Sequence, residues 1–193
     1  MSEETRTRII EAGSQLIHLH GFQGTGLKAI LDAAEVPKGS FYHYFKSKED
    51  FGLAVIEHYA NFTKSIVEPI IEDTTLSTLE RFRAIFRAFR AVSEQNKCTR
   101  GCLLANLSQE MADLSEPMRE LLDGVFNRAS AAFADLIREG QQSGEINPDF
   151  DADDAADFVF ASWHGAMIRM KLHNSLAPLD LFERMIISHF LSA

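Results

Sequence analysis

The 193-residue chain has only two cysteines, Cys98 and Cys102. That is too few for a disulfide scaffold, and it makes a reducing cytoplasm the expected compartment. Its apolar runs are only a few residues long, which excludes a transmembrane helix and leaves no membrane partner to expect. The opening residues Met1-Ser2-Glu3-Glu4-Thr5-Arg6 are polar and acidic and predict no secretory leader. No sustained alternation of period two occurs, so a sheet protein is not expected. A nucleophile–base signature, a glycine-rich phosphate loop and a metal-ligand pair are all missing, so neither an enzyme nor a cofactor is expected. The acidic run Asp149–Asp154 lacks the glycine and the closing glutamate of a calcium loop, with Asp154 and Phe160 at those places. His18 and His20 fall on different faces of a helix, so no metal site is expected there.

A basic excess is lacking as well. Lysine plus arginine number 19 against 28 acidic residues, a net charge of −9. The field of the whole molecule therefore does not draw it to a polyanion. The acidity is uneven, however. Lys38, Lys46 and Lys48 lie within residues 36–48 with no acid among them. Any phosphate contact is expected to be local to that segment.

What the sequence has in abundance is apolar residues at three- and four-residue spacing, which predicts an all-α chain. Helices are expected over about 5–20, 27–34 and 38–45. A fourth should open at Ser47 and stop near Ile66, before Pro69. Further helices are expected over 75–94, 98–113, 117–142 and 151–173, with a last one from Pro178 to about Leu191. The division into domains falls at 1–48 and 49–193, the second being the larger helical domain.

Residues 27–45 read as two short helices joined by a three-residue turn, which is helix-turn-helix geometry. Val36, Phe41 and Phe45 are spaced to pack against Ile30, leaving Lys38, Gly39, Ser40, Tyr42, His43 and Tyr44 outward or at the edge. A small N-terminal end followed by donor-bearing aromatics suits a major groove. Lys48 is placed to hold the far phosphate backbone, and Thr25 and Lys28, at the head of the first helix of the motif, complete the expected DNA-binding set. Spacing alone equally describes a helical corner that only packs on its neighbours, in a small-molecule-binding or interaction module without specific DNA binding.

Gly21-Phe22 through Thr25, Ile30, the run Ala33 to Phe45 and Lys46-Ser47-Lys48-Glu49 resemble the N-terminal domain of TetR/AcrR-type transcriptional regulators. The resemblance implies a DNA-binding helix at 37–44 and a homodimer reading a palindromic double-stranded operator. It also implies a C-terminal helical domain that binds a small-molecule effector and relieves repression. Two positions depart from the family pattern. Gly26 stands where Ser or Thr commonly caps the helix, and Glu35 stands where Gly usually occupies the turn. A side chain at 35 costs about 1 kcal/mol if the turn is left-handed.

The C-terminal part offers two effector readings. Cys98 and Cys102, four apart, would share a face if their helix began early. Lys97, Arg100 and the helix N-terminus would then lower a thiol pKa and favour electrophile or oxidant sensing. The opposing reading is a buried, inert apolar run at Cys102-Leu103-Leu104. That stretch, followed by Leu107 to Glu116, resembles the NemR-like branch of the family, whose members respond to electrophiles through a cysteine at the position of Cys102, and it equally resembles relatives that sense small organic acids. Phe86, Phe89, Met111, Phe126, Trp163 and Met167 are candidates to line an effector pocket, though a helical core needs the same residues. Arg87, Arg90, Arg169 and His164 are candidates to pair with an anionic ligand. For the dimer, a two-fold four-helix bundle is expected from helices 117–142 and 151–173, through Leu122, Phe126, Ala129, Phe133, Ala161, Gly165 and Ala166.

Overall fold

The computed structural model describes residues 3–193, apart from the side chain of Lys38. It consists of α1 (Glu3–His20), α2 (Leu27–Ala33), a 3-10 turn (Lys38–Ser40) running into α3 (Phe41–Tyr44), α4 (Lys48–Ile71), α5 (Thr78–Gln95), α6 (Leu103–Met111), α7 (Glu116–Ser143), α8 (Ala152–His173) and α9 (Ala177–Met185), which widens into a π-helical segment (Ile186–Leu191). Among the described residues there is no strand, only one antiparallel bridge between Ile146 and Ser192. The all-α reading of the sequence holds.

Three boundaries differ from expectation. The fourth helix does not stop before Pro69 but runs through it to Ile71. The ring sits in the last turn, where a single missing ladder bond is tolerated. The sixth helix starts at Leu103 rather than at residue 98, because Lys97 and Cys98 hold left-handed backbone at φ 52° and 57°. The last helix is α-helical only to Met185.

Two compact units divide the chain, and neither is a single stretch of sequence. The first takes residues up to Phe62 together with Cys102–Gly124. The expected division at 48/49 falls at the head of α4, inside this unit. Its core is a trio of rings: Phe41, Phe45 and Phe51 lie 5.1–5.7 Å apart between centroids and are almost wholly buried. Burying each contributes about 1.5–3 kcal/mol. Gly13 of α1 lets that trio approach, since a Cβ there would lie 2.2 Å from the tip of the Phe51 ring. Leu103, Leu104, Leu107 and Met111 of α6 and Met118 and Leu122 of α7 are buried in the same unit.

The second unit takes Thr63–Gly101 and Val125–Ala193. Its α5 opens with a capping box: Ser77 accepts from the Glu80 amide while Glu80 accepts from the Ser77 amide. Asp151 caps α8 by accepting from the amides of Asp153 and Asp154. This cap is what the acidic run at 149–154 does. Buried Arg81 of α5 forms a two-point ion pair with Glu139 of α7 and also donates to the carbonyl of Ile71 at 3.0 Å. The chain end is tied back by Asn147, whose amide donates to the Leu191 carbonyl at 2.8 Å.

Candidate nucleic-acid interface and effector region

The two-helix corner is built as its spacing required. Ile30, Leu31, Val36, Phe41 and Phe45 are buried, and α2, the turn at 34–37 and α3 follow one another without a longer loop. On the other side Tyr42 is 68% exposed, His43 and Gly39 are exposed, and Ser40 and Tyr44 are half-buried. Lys28 and Lys46 are also exposed. The Lys38 side chain lies outside the described part. Five of the six positions from Gly39 to Tyr44 therefore offer main chain, hydroxyl or ring nitrogen away from the buried Phe41 ring.

Two members of the expected set are placed differently. Thr25 is only 2% exposed, and its hydroxyl donates to the Gly21 carbonyl at 2.6 Å, closing the turn that precedes α2. Its side chain is thus part of the scaffold, not of the outward face. Lys48 is half-buried: its ammonium donates to the Phe22 carbonyl at 2.7 Å and lies 4.7 Å from the centre of the Phe22 ring. Burial pushes its pKa down, and the nearby Glu110 carboxylate pulls it back up.

Both turns flanking α2 are held by residues that the sequence reading did not single out. Arg8 of α1 donates to the carbonyls of Ala34 and Glu35 at 2.6 and 3.3 Å. Glu35 has φ 54°, so the family's usual glycine is replaced here by a side chain in left-handed backbone. On the other side, the Glu110 carboxylate of α6 accepts from the amides of Phe22 and Gln23 at 2.8 and 2.7 Å. No local pattern marks either residue, because each acts on main-chain atoms far away in sequence.

In the second unit, Phe86, Phe89 and Trp163 lie together. The Phe86 and Trp163 rings stack at 5.6 Å, and Phe89 lies 6.2 Å from Trp163. Phe182 of α9 closes the group, 4.9 Å from Phe86 and 5.2 Å from Trp163. Met167 is buried on the same helix as Trp163. Phe126 packs on a different side chain, His164, at 5.4 Å. Met111 belongs to the first unit, where its sulfur accepts from the Gln23 amide group at 3.8 Å.

Over residues 9–55 the chain matches the family of bacterial regulatory proteins called the tetR family, and over residues 78–186 the tetracyclin repressor-like C-terminal domain. The chain belongs to the TetR family. Among its relatives is the transcriptional regulator AcuR of Cereibacter sphaeroides, 39% identical over 95% of this chain and 84% of that protein. Another is the transcriptional repressor NemR of Escherichia coli K12, 34% identical over 92% of this chain and 89% of NemR. A crystal structure of a regulatory protein TetR from Rhodobacter sphaeroides superposes with a TM-score of 0.90 at 38% identity, covering 95% of this chain and 97% of that one.

Against that TetR-family background the cysteines are not arranged as expected. Cys98 is buried in left-handed backbone before α6, and Cys102 is the N-cap residue of α6, so the two do not share a helical face. Burial pushes the Cys102 thiol pKa up, with amide hydrogen bonds from Ala105 and Leu104 opposing it. The direction is opposite to the lowering expected from Lys97 and Arg100, because desolvation of the thiolate dominates. Three of the four anion-pairing candidates are also engaged. Arg90 is bound to Asp180 at 2.6 Å and Arg87 to Glu183 at 3.3 Å. His164 donates or accepts through Nδ1 at the Phe160 carbonyl, 2.8 Å away, and its burial favours the neutral ring.

The expected dimer residues also divide. Leu122 and Phe133 are buried within the single chain, Phe133 between the rings of Phe82 and Phe160. They are core of the single chain, Leu122 in the first unit and Phe133 in the second. Phe126, Ala129 and Ala166 are half-buried. Ala161 and Gly165 are exposed, and they continue along α8 with exposed Phe158, Ile168 and Leu172. Packed on α8, α9 adds exposed Leu181 and Met185. The spacing of the small residues of α8 alone does not reveal this apolar series.

Proposed function

We propose that this TetR-family regulator acts as a homodimeric repressor in the cytoplasm, bound to a near-palindromic operator and released from it by a small-molecule effector. The observation that carries the DNA-reading surface is the contrast across one short helix. Phe41 and Phe45 are buried while Gly39, Tyr42 and His43 are exposed, with Lys28 and Lys46 flanking them. In this reading residues 1–48 provide the contacts, with Lys38, Ser40, Tyr44 and Lys48 completing them, and residues 49–193 hold the effector and the dimer. Half-sites separated by whole helical turns follow from two-fold symmetry. The protein acts by binding, and turnover is no part of the reading.

A non-covalent effector is favoured over thiol modification, because Cys98 is buried and the Cys102 thiol is held in its protonated form. A ligand that binds better to the conformation that misfits the operator lowers DNA affinity by linkage. The aromatic group of Phe86, Phe89 and Trp163 is the part of the second unit on which an apolar ligand surface would be built. The dimer is assigned to the exposed side of α8, where Phe158, Ala161, Gly165, Ile168 and Leu172 recur at three- and four-residue spacing like a helix–helix seam.

The test is fluorescence anisotropy on duplexes from the DNA flanking its own gene, against excess random DNA, with and without a thiol-reactive maleimide. Tight, competitor-resistant binding that is indifferent to the maleimide is the expected result. Binding abolished by the maleimide, and spared in Cys102→Ser, would replace the ligand with a thiol switch. No competitor-resistant binding to any such duplex would count against the assignment of the reading surface.

A further inference from the structure

Phe22 is held from both sides of its peptide group. Its amide, with that of Gln23, donates to the Glu110 carboxylate of α6, and its carbonyl accepts the Lys48 ammonium of α4. The turn is shaped around that carboxylate. Gly21 has φ 77°, and a Cβ there would lie 2.9 Å from Glu110 Oε2. Thr25 ties the same turn to Gly21, and α2 begins two residues later. All of these residues belong to the first compact unit.

We propose that Glu110 is a positioning residue for DNA binding, which sets the location of the Lys48 ammonium by fixing the α1–α2 turn from α6. The proposal rests on the DNA-reading surface described under Proposed function. Two amide donors on one carboxylate make charge-assisted hydrogen bonds, so the turn follows α6 rather than relaxing independently. The Phe22 carbonyl follows with the turn, and Lys48 spends one of its three N–H donors on it, leaving two for a phosphate. Lys48 thus reaches DNA from an anchored position. A displacement of α6 is passed to the start of α2 and to this lysine through one peptide segment, gripped by the Glu110 carboxylate on its amides and by the Lys48 ammonium on its carbonyl.

The test compares the wild type with Glu110→Gln, Lys48→Gln and the double variant, all as full-length protein. Glutamine keeps the size of glutamate but turns an N–H donor toward one of the two amides. Hydrogen exchange at Phe22 or Gln23 is expected to speed up about tenfold in Glu110→Gln, with exchange across the Phe41–Phe45–Phe51 core unchanged. Operator affinity is expected to fall about tenfold, with log affinity against log salt shallower by about 1.8 for a dimer losing two phosphate contacts. Lys48→Gln should lose the same slope, and the double variant should be no weaker than either single one.

Unchanged exchange or unchanged affinity in Glu110→Gln overturns the proposal. So does a fall in affinity that leaves the salt slope intact or adds to that of Lys48→Gln, since Glu110 would then only stabilise the fold. Loss of the cooperative melt overturns it for the same reason. A wild type that binds no duplex above competitor overturns the DNA-reading surface and this proposal together.

Discussion

Arg8 reaches from α1 to the carbonyl of Ala34, with Nη2 2.6 Å away, and so grips the end of α2 at the turn that leads to the reading helix. The next residue, Glu35, holds φ 54°, and Val36 then closes the turn by donating to the Leu31 carbonyl at 3.0 Å. A left-handed L-residue costs about 1–2 kcal/mol, part of which glycine gives back through its freer unfolded chain. Glu35→Gly is therefore expected to stabilise by about 0.5–1 kcal/mol, raising Tm by about 2 °C. Glu35→Val should lower it, because a branched side chain tolerates this backbone least. Thermal melts followed by circular dichroism decide the order, and a Glu35→Gly variant less stable than the parent would contradict it.

The Arg81–Glu139 pair is asymmetric: the Arg81 side chain is almost wholly buried, while that of Glu139 is half-exposed. Its two halves should therefore respond differently to removal. Glu139→Ala leaves a buried cation held by its hydrogen bond to the Ile71 carbonyl, whereas Arg81→Met leaves a carboxylate that water can solvate. We expect Glu139→Ala to cost about 2–3 kcal/mol, and Arg81→Met distinctly less. Urea unfolding curves of the two variants measure this directly. Equal losses would mean that the charge is solvated in ways its burial does not suggest.

Burial raises the Cys102 thiol pKa, so its alkylation should be slow at neutral pH. With iodoacetamide at pH 7.5, the rate at Cys102 in the folded protein is expected to be at least about tenfold below that of a free thiol, whose pKa is near 8.5. It should rise with pH through a midpoint above that value, and both cysteines should react freely once the chain is unfolded. A rate that is already maximal at pH 7 would show a stabilised thiolate and overturn the direction.

His164 gives a pH dependence whose sign is fixed. Burial lowers its folded pKa below the unfolded value, with its hydrogen bond to Phe160 partly opposing. Below an unfolded pKa of about 6.5 the unfolded chain binds the proton more readily, so this residue's contribution to stability falls as pH drops through that value. Above it both states are neutral and the contribution is flat. His164→Phe suits its ring neighbours Phe126 and Phe160, and should flatten the wild-type loss of denaturant midpoint between pH 7 and 5.5. Parallel profiles for the two proteins would refute the assignment.

Much of this was legible in the sequence because helical periodicity records burial. Ile30, Val36, Phe41 and Phe45 face inward where their spacing puts them, and the outward series from Gly39 to Tyr44 follows by subtraction. What spacing did not reveal are contacts made to main-chain atoms across the chain. Arg8 on Ala34 and Glu110 on Phe22 and Gln23 have no signature in their own neighbourhoods. The thiol was misjudged for a related reason. Charge is visible in Lys97 and Arg100, but the desolvation that raises the Cys102 pKa depends on packing, which local charge does not record. Likewise Leu122 and Phe133 are expected at a dimer seam from their spacing, while both are used up within the single chain.

The exposed series on α8 supplies the last prediction. Leu172 is 72% exposed and Ile168 half-exposed, beyond the small Ala161 and Gly165 that would let a second helix come close. Apolar residues in such a row, left uncovered in the single chain, mark an interaction surface rather than scattered exposure. A charge at Ile168 would be buried without a partner in the dimer yet remain hydrated in the monomer. Ile168→Glu should therefore weaken dimerisation at least about a hundredfold while leaving the monomer's helix content unchanged. Since each half-site contact depends on its twin, operator binding should weaken with it. Sedimentation velocity across a concentration series provides the measurement. A variant that stays dimeric at the lowest concentration would move the interface off α8, whereas a wild type already monomeric there would remove the dimer itself.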